Sequence, residues 1–197
     1  SLISALTRSR PKIADYPFTT LVPNLGVVSL EAHRSFVMAD IPGLIPGAAE
    51  GAGLGIRFLK HLTRTRLLLH LVDVMPPDEG DPVNTVYLLD HELKAFSQSL
   101  ANRPRWLVLN KIDLISEQQL SGLMARVSNE LPQYDRVYAI STVTKHGLIE
   151  LSGDIMTSLE QLWENEQDEL ENLSKELKTQ HTMPVSYTHL RAHETGR

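Results

Sequence analysis

Asn110-Lys111-Ile112-Asp113 closes the apolar run Trp106-Leu-Val-Leu109, and seventy residues earlier Asp40-Ile41-Pro42-Gly43 follows the run Phe36-Val-Met-Ala39. Both tetrapeptides fall where a strand would end, and open α/β sheets place their ligands at such ends. A carboxylate at 113 has a specific use there. Guanine presents two adjacent donors, N1–H and the exocyclic N2–H, and one carboxylate accepts both; adenine offers an acceptor at N1 and nothing at C2. A charged acceptor held against adenine is left unpaired, and sites built this way discriminate by roughly 10⁴-fold. In this reading Asn110 bridges neighbouring loops and the stem of Lys111 lies over the base. Taken alone, the tetrapeptide is also an ordinary helix start with Asn or Asp as cap, and Asp-x-Pro-Gly is also a plain turn. Their order and spacing favour the nucleotide reading.

The first tetrapeptide suits the phosphate end of such a ligand. A strand-end carboxylate, Asp40, can hold a magnesium-bound water while the Gly43 N–H, unobstructed by a side chain, points at a terminal phosphate. Upstream, the proline-interrupted loop Asp15 to Gly26 carries Thr19 and Thr20. A hydroxyl is the neutral hard oxygen that a largely water-ligated magnesium accepts, and a loop held only by that contact is released when the γ-phosphate leaves. The simpler alternative is that these threonines cap a turn.

The elements that must position these groups follow from short apolar runs at Gly26–Leu30, Phe36–Ala39, Leu67–Val72, Trp106–Leu109 and Val137–Ile140. Most are nearly unalternating, as strands covered on both faces are. Between them helical patterns occupy Ile56 to Thr65, Leu88 to Leu100, Glu117 to Leu131 and Leu148 to Trp163, which makes the chain α/β with a mostly parallel sheet flanked by helices. The first two strands are too close for a crossover and are expected to form a hairpin around Glu31 to Arg34. Ser1 to Thr7 reads as the remainder of a helix. His70, inside an apolar strand, reads as a satisfied core residue. A domain is expected over residues 1–160, an acidic helical extension over 161–183 with Leu162, Trp163, Leu170, Leu173 and Leu177 on one face, and a disordered or non-native tail over 184–197.

Composition narrows the remaining classes. A chain of 197 residues with 42% apolar and 22% charged residues is an ordinary globular one. Without cysteine there is no disulfide framework and no thiolate metal site. No apolar stretch approaches the eighteen residues of a membrane span. A formal charge of −5 argues against binding nucleic acid through the whole surface. Local basic groups remain, Arg8, Arg10 and Lys12 in one and Arg57, Lys60, His61, Arg64 and Arg66 in another, both read as solvated helix faces. No Gly-x-Gly-x-x-Gly follows a strand, so a dinucleotide-dependent dehydrogenase is a poor fit.

The strings Arg10-Pro-Lys-Ile-Ala-Asp-Tyr-Pro-Phe-Thr-Thr-Leu-Val-Pro-Asn-Leu-Gly-Val-Val28 and Asp40-Ile-Pro-Gly-Leu-Ile-Pro-Gly-Ala-Ala-Glu-Gly-Ala-Gly-Leu-Gly-Ile-Arg-Phe-Leu59 resemble the GTPase domain of the Obg family, bacterial GTP-binding proteins linked to large ribosomal subunit assembly. The resemblance covers about Ser1 to Leu159. It implies a P-loop NTPase-like fold, hydrolysis of GTP to GDP and phosphate, magnesium as cofactor, potassium as an added positive charge, a cytoplasmic monomer, and the large ribosomal subunit or its precursor as partner. By the same register Thr20 is the magnesium ligand and Asp40 holds the metal through water. Phe18, Thr19, Thr20, Leu21 and Val22 form the first switch, and Asp40, Ile41, Pro42 and Gly43 the second. Ser141, Thr142 and Val143 back the base; Thr142 stands where the family usually has Ala. Leu44 stands where many GTPases carry the glutamine that orients water, so slow intrinsic turnover is implied, and the rival reading is a nucleotide-regulated binding module without significant hydrolysis. The family pattern places the phosphate-binding loop and a central strand before Ser1. The chain as written is therefore expected to expose two strand edges and to bind GTP weakly or not at all.

Overall fold

The structure, a computed structural model, describes residues 1–7, 12–13, 24–40, 65–134 and 136–180. In chain order they form α1 (Leu2–Leu6), β1 (Lys12–Ile13), β2 (Asn24–Glu31), β3 (Arg34–Asp40), β4 (Leu68–Asp73), α2 (Pro82–Phe96), α3 (Gln98–Ala101), β5 (Arg105–Asn110), a 3-10 turn (Ile112–Leu114), α4 (Glu117–Glu130), β6 (Val137–Ala139) and α5 (Leu148–Gln180). The expected helix at 56–65 falls almost wholly outside the described residues, as does the 184–197 tail.

The strands make two sheets. Strands β1, β2 and β3 are antiparallel, while β4, β5 and β6 are parallel. The hairpin between β2 and β3 turns with His33 in the left-handed region at φ 70° and carries a register shift between Ser29 and Glu31. Lys12, read from sequence as part of a helix face, instead pairs with Leu25 at the edge of the first sheet. The polar neighbours that suggested a helix do not prevent a two-residue edge strand, which needs backbone pairing and no buried face. The open edges of β3 and β4 carry no strand partner among the described residues.

Strand β5 explains why the apolar runs do not alternate. Trp106 and Val108 join Leu2, Val28, Phe36, Ile140, Leu148, Leu151 and Ile155 in one core cluster, so this face is covered by α5 and tied to the first sheet. Leu107 and Leu109 point into a second cluster with Val83 and Val86 of α2 and Val127 and Leu131 near α4. A strand buried on both faces must be apolar at every position, and each such side chain contributes about 1.5–3 kcal/mol by leaving water. Helix α1 seats directly on β2, where a Cβ at Gly26 would stand 2.5 Å from Ile3 Cγ2.

Helix boundaries follow capping. Helix α2 begins six residues before the expected Leu88 because Asp81 accepts from the Val83 N–H and Pro82 occupies the first turn, where its missing N–H costs nothing. Leu88 to Leu100 is not one helix: Ser97, extended at φ −159°, ends α2 and caps α3. Ser116 and Gln119 form a reciprocal capping box that starts α4 at Glu117.

A buried polar group spans β4, α2 and β5. Asp90 accepts from Arg105 Nη1 at 2.6 Å, Tyr134 Oη at 2.9 Å and Gln133 Nε2 at 2.9 Å. Because the Tyr134 hydroxyl donates to Asp90, it is left to accept from His70 Nδ1, which gives that ring nitrogen a partner among apolar strands. Burial lowers the His70 pKa to about 4, against the raising effect of Asp90.

The chain divides into compact units at 1–159 and 160–197. In the second, the described residues continue α5 to Gln180, with Trp163, Leu170 and Leu173 exposed. Among the described residues no helix is long and apolar enough to cross a membrane.

Candidate functional site

The Asn110–Asp113 segment leaves the carboxyl end of β5 and turns at once. Lys111 takes the left-handed conformation, φ 67° and ψ 33°, and Ile112 to Leu114 wind into a single 3-10 turn. A lysine in that region is strained relative to glycine, so the turn must be held from outside. It is held on both sides. The Val74 N–H donates to the Asn110 carbonyl at 2.9 Å, and the Ile112 N–H donates to the Ile140 carbonyl at 3.3 Å. The loop is thus stitched to the end of β4 and to the segment after β6.

Asn110 is buried, and its amide does what a bridging residue should. Its Oδ1 accepts from the Thr142 N–H at 3.3 Å, and its Nδ2 donates to Asp73 Oδ1 at 3.4 Å. Lys111 Nζ lies 2.7 Å from Asp73 Oδ2. Asp113 is exposed on the 3-10 turn and has no hydrogen-bond partner among the described residues, so its carboxylate is open to a ligand.

Ser141, Thr142 and Val143 lie beside this turn. Ser141 is fully buried, and its Oγ accepts from the Val143 N–H at 3.3 Å and the Thr144 N–H at 3.0 Å. The loop closes with Lys145 and Gly147 at positive φ. With the Thr142 N–H turned to Asn110 and the Val143 N–H to Ser141, both groups are occupied by internal acceptors. A base oxygen would have to compete for them.

The structure therefore brings Asn110, Lys111, Ile112, Asp113, Ser141, Thr142 and Val143 together at the end of the parallel sheet. Asp40 ends β3 in the other sheet, half-buried and opposite Asn24. Phe18, Thr19, Thr20, Leu21, Val22, Ile41, Pro42 and Gly43 lie outside the described residues. Sequence reading missed Asp73. Its signal was an acidic residue directly after the run Leu67–Val72, at the strand end where ligands gather.

The fold has known counterparts. A nucleolar GTP-binding protein 1 from Plasmodium falciparum superposes with a TM-score of 0.59 at 16% identity, covering 92% of this chain and 88% of that one. An Era variant from Aquifex aeolicus bound to GDP and aluminium fluoride superposes with a TM-score of 0.57 at 21% identity, covering 79% of this chain and 51% of that one. A further Era structure, in complex with MgGDPNP and nucleotides 1506–1542 of 16S ribosomal RNA, matches with the same TM-score of 0.57, 21% identity and coverage of 79% and 51%. The chain thus spans about half the length of the Era chains it matches. These likenesses show a P-loop GTPase fold, a parallel sheet flanked by helices. The profile of one family, described as 50S ribosome-binding GTPase, matches residues 1–111, more than half of the chain, and the chain belongs to that family.

Proposed function

We propose that this chain is the nucleotide-binding part of a magnesium-dependent switch that hydrolyses GTP to GDP and phosphate and acts on a ribosomal particle, the large subunit or its precursor, in the manner of the Obg family. The observation that carries the reading is the Asn110–Asp113 turn. Its asparagine is buried and doubly bonded, its lysine is clamped, and its aspartate alone is left open. That arrangement uses Asn110 and Lys111 to hold the loop and leaves Asp113 for the donor pair of guanine.

Asp40 and Thr20 offer a carboxylate and a hydroxyl, hard neutral or anionic oxygens that suit magnesium, which keeps several waters and takes few protein ligands. Magnesium, when bound, would neutralise charge developing on the transferred phosphoryl group. The chain's own part is positioning: Asp113 fixes the base, and Phe18–Val22 and Asp40–Gly43 supply the loops that would sense the terminal phosphate. The ribosomal partner is supported by the family's description and by the RNA held in one Era structure. The strings at residues 10–28 and 40–59 support the Obg subfamily.

Leu44 favours a second reading, since an aliphatic side chain cannot orient water: occupancy by GTP would regulate binding with negligible hydrolysis. The test uses the full-length gene product. Asp113→Asn, which replaces an acceptor by an amide, is expected to move preference from guanine to xanthine nucleotides in competition titrations; unchanged GTP preference refutes the base assignment. Phosphate release with ribosomal particles and potassium separates switch from module.

A further inference from the structure

Asp73 ends β4 in direct register with Asn110 at the end of β5. Its carboxylate takes both neighbours of the turn: Oδ2 lies 2.7 Å from Lys111 Nζ and Oδ1 accepts from Asn110 Nδ2 at 3.4 Å. The backbone repeats the connection one residue on, through Val74 N–H to the Asn110 carbonyl. Resting on the guanine reading above and deepening it, we propose that Asp73 is a positioning residue for guanine recognition, holding the Lys111 side chain stretched across the turn before any nucleotide arrives.

Lys111 leaves the backbone from a left-handed residue, and its ammonium reaches across the strand ends to Asp73. A free lysine stem samples many rotamers, and a base that must lie under it would have to freeze them on binding. The ion pair does this in advance. At 36% and 32% side-chain exposure the pair is too wet to add much to folding. Its effect is therefore expected in ligand affinity and not in melting temperature. The shorter of the two contacts is to Lys111, so the effect should pass through that residue.

The experiment is a double-mutant cycle on the full-length gene product, with fluorescent GDP and magnesium as the probe. Asp73→Asn keeps shape and removes charge; Lys111→Met keeps the stem and removes its ammonium. Asp73→Asn is expected to weaken GDP about 3- to 10-fold, the cost of immobilising one long side chain at binding, with the nucleotide-free melting temperature unchanged. In the Lys111→Met background it is expected to cost nothing further. Wild-type affinity in Asp73→Asn, or the same loss with and without the Lys111 ammonium, overturns the proposal. Asp73→Ser enters the same cycle if the asparagine variant does not fold. A wild-type protein that binds ADP as well as GDP would instead refute the guanine reading itself, an outcome distinct from the other two.

Discussion

Arg105 Nη1 lies 2.6 Å from Asp90 Oδ1, joining the start of β5 to the middle of α2, with side chains only 10% and 5% exposed. The pair is desolvated, and Tyr134 and Gln133 donate to the same carboxylate. Removing one partner strands a buried charge. Asp90→Ala is expected to cost about 3–5 kcal/mol in urea denaturation, whereas the double replacement Asp90→Leu with Arg105→Met should recover much of that loss. Equal destabilisation by the single and double variants would show that the pair is not acting as a unit.

His70 gives the fold a pH dependence of definite sign. Its unfolded pKa is near 6.5, and burial depresses the folded value to about 4, with Asp90 opposing that shift and Arg105 reinforcing it. Between those values the unfolded chain takes a proton that the folded chain refuses. Stability from this group is therefore full above pH 6.5 and falls as pH drops toward 4, by about 1.4 kcal/mol per pH unit. Denaturation midpoints measured across this window for the wild type and His70→Gln should converge as the pH falls, and parallel curves would contradict the burial of a neutral imidazole.

Gly147 sits where the loop after β6 enters α5, at φ 71°, and a Cβ there would stand 2.7 Å from the Ala139 carbonyl oxygen. Gly147→Ala adds both a left-handed strain and a backbone clash. A loss of about 1–3 kcal/mol is expected, with the site loop loosened. Amide exchange at Val143 and Thr144 should accelerate in the variant; unchanged exchange would mean that this glycine does not hold the loop.

Burial separates two leucines that look alike in the sequence. Leu107 is fully buried in the middle of β5, while Leu114 is 55% exposed on the 3-10 turn. Leu107→Ala is expected to cost about 2–5 kcal/mol through lost contacts and a cavity. Leu114→Ala should stay within about 0.5 kcal/mol in the same chemical denaturation experiment.

Much of the sheet was legible because its signals are local. Trp106 to Leu109 announced a strand covered on both faces, and the structure divides those residues between two core clusters. The start of α4 was readable from Glu117. The start of α2 was not, because a run of Asp81-Pro82 reads as loop until one sees that the aspartate caps and the proline occupies the first turn. Nor was the break at Ser97, since no glycine or proline marks it.

By itself the sequence determined that Asn110 to Asp113 follows a buried strand and that one acidic side chain there can accept two donors. These properties reside in a few consecutive residues, and backbone preference with apolar period is enough to reveal them. Only the tertiary structure decided which side chain holds that turn. Asp73 is 37 residues from Asn110, and the two meet because β4 and β5 pair in parallel with those residues opposite each other. Register depends on how whole strands and the crossover helix pack, and a slip of one residue would turn the Asp73 side chain to the other face of the sheet.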